Sequence, residues 1–318
     1  MKILVAGGAG FVGTLLTKEL QTRNHHVDVV DLCWFGNYLP ESVSVNKKNI
    51  LDLTAEEIQP YDCVVFIAGL SNDPMANFSP SMNFVENMAA PAYLAFLSKE
   101  AGIKRFVYAS TCSVYGYTAN QLMDENSAVS PQYPYGISKL AAENLIMSLA
   151  NSDFRPICLR KGTIGGYSPR MRFDLVVNTM LKSALSSGKI VVNNPSIWRP
   201  LIDIRDVVGA YIRSIESSLE LFGIYNICEN NYTIGRLADE IKNTLNNRGH
   251  DISLEINNVQ DVRNYKVSNQ KAKTELDFEA RYTPKDSVEH VLDNIDSDIN
   301  FEDERFYNIK VFRGKYGQ

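Results

Sequence analysis

Apolar and polar positions alternate in blocks through the first half of the chain. A short aliphatic run is followed by a turn and then by a stretch with helical spacing, and the unit recurs. Lys2–Ala6 is such a run, followed by Gly7-Gly8-Ala9-Gly10-Phe11-Val12-Gly13 and a helix pattern over Thr14–Arg23. His26–Val30 reads as the second strand, ending in Asp31, and Asn49–Leu53 as the end of a third. Tyr61–Gly69, Lys104–Ser110 and Phe154–Arg160 read as further buried strands. Asn83–Lys99 and Tyr135–Asn151 read as amphipathic helices between them. Strand and helix in alternation argue an α/β chain built on a parallel, doubly wound sheet.

Beyond Arg160 the rhythm changes. Lys161–Arg172 is a glycine-rich loop carrying Arg170 and Arg172, a helix pattern covers Asp174–Ser187, and a short strand lies near Lys189–Asn193. Trp198–Asp206 leads into another helix, Gly223–Cys228 reads as a returning strand and Leu237–Leu245 as a helix. The expected organisation is residues 1–160 as one domain, with return segments near 200–228, and 161–318 mainly as a smaller interleaved domain. Phe301–Gln318 has no clear period and reads as a tail or partner-contact arm.

Composition narrows the class. The 318 residues can bury a large core. A net charge of −5 without basic blocks disfavours nucleic acid and anionic membrane as partners. Five scattered cysteines without a Cys-x-x-Cys fit reduced thiols, hence a cytoplasmic location. Met1–Ala6 leaves no room for a signal peptide, no apolar run approaches bilayer length, and no metal-ligand cluster stands out.

Two motifs carry chemistry. Gly7, Gly10 and Gly13 sit between a strand and a helix, where glycines let backbone approach a pyrophosphate resting on the helix N-terminus. Phe11 and Val12 belong to the same turn. Asp31, eighteen residues past Gly13, suits a carboxylate that accepts from ribose hydroxyls and repels a 2′-phosphate, which favours NAD over NADP. Asp52, with Leu53 beside it, could meet an adenine amino group, and Ala68 ends its strand small enough for close approach to a cofactor. Ser110-Thr111-Cys112-Ser113 falls at a strand's carboxyl end, and Tyr135 and Lys139 lie one helical turn apart. An ammonium near the phenol would lower its ordinary pKa of roughly 10 and make Tyr135 an acid or base toward an alcohol. Ser71 lies in a turn-rich loop facing the same cleft, and arginines outside the first domain suit a diphosphate.

With these motifs in order, the chain resembles the extended short-chain dehydrogenase/reductases of the NAD-dependent epimerase/dehydratase group, which act on nucleotide sugars. The resemblance implies a Rossmann-type fold with a smaller substrate domain. Gly7–Gly13 is similar to the family's glycine turn, with Ala6 where Thr is common. Val64–Gly69 resembles its fourth strand, although Phe66 replaces a frequent His and Gly69 an Ala. Asn87 falls where a family Asn supports the active-site loop; Thr111, Tyr135 and Lys139 fall on the catalytic positions. Arg199 matches the arginine that holds the substrate diphosphate, Asn178 a diphosphate or nucleotide contact, Thr163 replaces a frequent Asn, and Arg263 corresponds more loosely to a second phosphate-holding arginine. Ser71 and Ser113 join them on the substrate side. Where 4,6-dehydratases carry Asp-Glu after the catalytic Thr, this chain has Cys112 and Ser113. Neither replaces a carboxylic acid at neutral pH, so elimination is disfavoured. The resemblance then implies oxidation of a ring carbinol, commonly carbon 4, and re-reduction from the other face: an epimerase. A dehydrogenase or ketoreductase is the alternative, and a non-catalytic dinucleotide-binding scaffold the reading from another class. It also implies a homodimer through helices Asn83–Lys99 and Tyr135–Asn151.

Overall fold

In a computed structural model, residues 1–118, 121–257 and 264–317 are described. Seven parallel strands form the main sheet: β1 (Lys2–Ala6), β2 (His26–Val30), β3 (Ser44–Asn46), β4 (Cys63–Phe66), β5 (Arg105–Thr111), β6 (Arg155–Lys161) and β7 (Gly223–Ile227). Their order is β7-β6-β5-β4-β1-β2-β3. The sheet reverses direction of growth between β1 and β4, which opens a crevice above their carboxyl ends. The central strands β1, β4, β5 and β6 are almost uniformly buried, as a sheet covered on both faces requires, whereas the edge strand β3 is not. Helix α1 (Phe11–Thr22) covers one face together with α5 (Ile204–Glu216). Helices α2 (Ala90–Glu100) and α3 (Pro134–Ser148) cover the other. Between α3 and α5 in the chain lies α4 (Val176–Ser187). A three-stranded sheet of Thr163–Gly165, Trp198–Asp203 and Asn230–Thr233 forms the floor of the smaller lobe. Strand β7 and helix α5, from the second half of the chain, return to the main sheet.

Three sequence expectations change. The third strand is Ser44–Asn46; Ile50–Asp52 is instead a tight helical turn, because the Asn49 side chain accepts from Leu51 N and bends the backbone. Asn83–Lys99 is not one regular helix. Pro80–Phe84 runs through a wide turn at Val85–Ala89 into α2. Pro91 has no N–H to give the carbonyl of Asn87, and the Tyr108 hydroxyl donates to that carbonyl instead, at 3.3 Å. Finally, the C-terminal segment is folded. Asn308–Tyr316 forms α6, whose buried Phe312 packs with Leu70, Met75, Trp34 and Phe35.

Candidate active site

The crevice at the β1/β4 reversal is a cleft of about 640 Å³. Gly7, Gly10, Phe11, Val12 and Gly13 line one wall. Gly7 has φ +91°, and a Cβ there would meet Ala68 N at 2.4 Å, so only glycine fits this turn against β4. Helix α1 begins directly on the cleft. No side chain caps it and no acidic residue stands in its first turn, leaving its N-terminal dipole for an anion. Asp31 lies at the end of β2 and accepts from Ala9 N (3.0 Å) and Cys33 N (2.7 Å). Burial raises its pKa, against these two bonds. Ala68 also lines the cleft. Asp52 and Leu53 do not: the turn capped by Asn49 leaves Asp52 exposed and Leu53 in the core, and Asn49 and Ile50 face the cleft in their stead.

Thr111, Tyr135 and Lys139 meet at the other end. Thr111 closes β5 at the cleft, close enough to the Tyr135 phenol to act on its titration. Helix α3 carries Tyr135 and Lys139, and its start is fixed by Asn83, which donates to the carbonyl of Pro134 at 2.9 Å. A buried ion pair locks its middle to the sheet: Glu143 accepts from Arg160 of β6 at 2.6 Å and from the Ser110 hydroxyl of β5 at 2.5 Å. The electrostatics reverse the sequence expectation. Burial pushes the Tyr135 phenol above its ordinary range, and the Asp73 carboxylate adds to that push; Arg172 and Thr111 oppose it. Lys139 is itself brought down to about 7 by burial, with its Nζ 4.8 Å from the Tyr108 ring centre. A low-dielectric pocket disfavours both charges, so burial outweighs any acidification of the phenol by the amine.

Ser71, Ser113, Thr163 and Arg199 also line the cleft. Ser113 Oγ is 3.2 Å from Thr111 Oγ1 and 3.3 Å from the Tyr265 hydroxyl, a chain of hydroxyls leading away from Tyr135. Arg199 donates to the carbonyl of Trp198 at 2.9 Å and lies 5.5 Å from the Tyr265 ring centre. Asn87 lines the cleft and donates to Leu70 O (2.8 Å) and Asn83 Oδ1 (2.7 Å). Asn178 does not reach the cleft. Its fully buried amide accepts from Gly166 N and donates to the carbonyls of Gly166 and Arg172, so it clamps the glycine-rich loop. Arg263 lies outside the described residues.

Lys161, Asp73, Asp174, Asn308 and Ile309 line the cleft without having been singled out in the sequence. Lys161 is the register partner of Thr111 on the neighbouring strand and donates to the Tyr211 hydroxyl at 2.9 Å. Its position at the end of an apolar strand was the available signal. Asp73 begins a short helix at the cleft beside Tyr135. The expected arginines of the glycine-rich loop, Arg170 and Arg172, line the cleft together with Asp174 just after that loop and Asn308 and Ile309 of α6. Nothing in the local pattern of Phe301–Gln318 marked that segment as a wall of the site.

Residues 3–228 match the model of the NAD dependent epimerase/dehydratase family. An uncharacterized UDP-glucose epimerase, YtcB of Bacillus subtilis (strain 168), is 33% identical over 209 residues, 60% of this chain and 65% of that protein. The dTDP-D-glucose 4,6-dehydratase of Dictyostelium discoideum is 28% identical over 253 residues, 71% of this chain and 58% of that protein. The chain thus spans about three-fifths of the length of these two relatives. The fold is that of MoeE5, solved with UDP-glucuronic acid and NAD (TM-score 0.80, 24% identity, 91% of this chain and 97% of that one). The Thermotoga maritima UDP-glucose 4-epimerase, solved with UDP-glucose, is equally similar (TM-score 0.80, 23% identity, 92% and 98%). On the family match across most of its length, the chain belongs to the NAD dependent epimerase/dehydratase family.

Proposed function

We propose that the chain is an NAD-dependent nucleotide-sugar epimerase that oxidises a ring hydroxyl, at carbon 4, to a transient keto sugar and re-reduces it. The observation that carries this reading is that Thr111, Tyr135 and Lys139 line one cleft with an uncapped helix N-terminus and the Asp31 carboxylate. The residues fit a dinucleotide. The α1 N-terminus meets the cleft without a side-chain cap, and Arg170 brings two buried guanidinium nitrogens, Nε and Nη1, without protein partners.

Bound NAD supplies the hydride acceptor and donor. For the oxidation Tyr135 must act as its phenolate, a form that the positive charge of bound NAD would favour; it then takes the hydroxyl proton and returns it when the ketone is reduced, while Thr111 steadies the oxygen. Lys139 bonds the cofactor ribose, and Arg199 faces the substrate diphosphate. Ser113 and Thr163 contact the sugar, and Ser71 and Asn87 hold the loop after β4. Dimerisation through α2 and α3 belongs to the same proposal. Its support is an apolar stripe on those helices, with Phe96, Ile137 and Leu145 exposed.

A dehydratase is the second reading. Cys112 is fully buried, donates to the carbonyl of Arg160 and does not line the cleft, so it cannot act as the acid of an elimination. Asp73 is a carboxylate at the cleft, however, and dehydratases are among the relatives. Incubation with UDP-, GDP-, CDP- and dTDP-sugars separates the two. An epimerase gives a carbon-inverted product without net NADH; a 4-keto-6-deoxy product supports the dehydratase, and stoichiometric NADH a dehydrogenase.

A further inference from the structure

Arg170 is 2% exposed, yet its Nε and Nη1 have no hydrogen-bond partner, and it lines the cleft. A guanidinium buried with unmet donors is costly unless a ligand meets them. Its surroundings hold it in place. The planar group lies 4.0 Å from the Phe35 ring centre, and its remaining nitrogen donates to Asn308 Oδ1 at the start of α6. Asn308 is fixed in turn: its amide donates to the Ser71 hydroxyl at 2.7 Å, and its backbone N–H to Asp174 Oδ2 at 3.1 Å. The next residue, Met171, shares an apolar cluster with Phe11, the first residue of α1. Arg170 thus shares the cleft with the helix N-terminus and lies within charge range of Asp31. Burial and Arg172 bring its pKa down to about 9, which leaves it cationic at neutral pH.

We propose that Arg170, backed by Asn308 of the C-terminal helix, grips the cofactor's diphosphate from the smaller lobe, so that α6 is part of the dinucleotide site. This rests on the cofactor reading above. A diphosphate at the α1 N-terminus has oxygens facing away from the glycine turn, and a guanidinium fork matches them. A 2′-phosphate beside Asp31 would use the same fork, but the carboxylate repels it.

The test is equilibrium titration of nucleotide-free protein with ADP-ribose, adenosine, 2′-phospho-ADP-ribose and UDP. Arg170→Met is expected to weaken ADP-ribose by roughly ten- to hundredfold and to leave adenosine and UDP within about twofold. Arg170→Lys should recover part of the loss, and Asn308→Ala should show a smaller loss of the same selectivity. Unchanged ADP-ribose affinity in Arg170→Met overturns the proposal. So does an equal loss of adenosine, which marks a folding defect, or a loss confined to UDP or to 2′-phospho-ADP-ribose. A wild-type protein that binds neither ADP-ribose nor NADH contradicts the cofactor reading itself.

Discussion

The Lys139 Nζ lies 4.8 Å from the centre of the Tyr108 ring, and among the described residues no carboxylate pairs with it. Helix α3 buries this amine at the bottom of the cleft, 4% exposed, where burial lowers its pKa from 10.5 to about 7. The unfolded chain holds this proton up to about pH 10.5, the folded chain only to about 7. Between those values the unfolded state binds more protons, so Lys139 makes stability rise with pH, and its full penalty is present below about pH 7. Lys139→Met is expected to be more stable than wild type at pH 7, by on the order of 2–4 kcal/mol, while losing turnover. Denaturant melts of nucleotide-free protein at pH 7 and pH 10 check this: the gain should shrink at the higher pH, and a variant less stable at pH 7 contradicts it.

Tyr135→Phe removes the proton-transferring hydroxyl and keeps the ring. Turnover should fall by about 10²–10⁴ with nucleotide-sugar affinity little changed. Steady-state kinetics with a ligand titration separate the two, and a variant with wild-type turnover excludes the phenol as acid–base.

The Arg160–Glu143 pair ties α3 to β6, with Ser110 of β5 as a third member and the Tyr115 hydroxyl accepting from Arg160 at 2.8 Å. Glu143→Ala leaves a buried guanidinium unpaired and should cost about 3–5 kcal/mol. A urea midpoint within error of wild type would mean the pair is replaced by water.

On α3, Ile137 and Leu145 lie eight residues apart and share a face; Phe96 is exposed on α2 beside it. If this stripe is a dimer surface, Phe96→Glu with Leu145→Glu should give a monomer by light scattering, with the melting temperature nearly kept. A mass unchanged from wild type rejects the surface.

The sequence made the doubly wound sheet legible because each strand is an apolar run and each turn is punctuated by glycine or a polar cluster; the Gly7–Gly13 turn and Asp31 stand where that pattern put them. Tyr135 and Lys139 were legible as neighbours on one helix face, but the depth of burial that reverses their electrostatics is a tertiary property that spacing does not carry. Asn178 looked like a ligand contact, whereas its amide is spent on backbone groups of a loop twelve residues away. Asp52 was misplaced because one capping Asn turned a strand end into a helical turn. Asn308 was invisible: its significance comes from Ser71, Arg170 and Asp174, all more than 130 residues away in the chain.

The central claim is that hydride leaves and returns to one sugar carbon while Tyr135 moves the proton. It is tested most directly by incubating the enzyme with a nucleotide sugar carrying deuterium on the reacting carbon, and reading the product by NMR. Inversion at that carbon with the deuterium retained, and no label entering from water, is the predicted result. Deuterium lost from the inverted carbon, or a 4-keto-6-deoxy product, would contradict it.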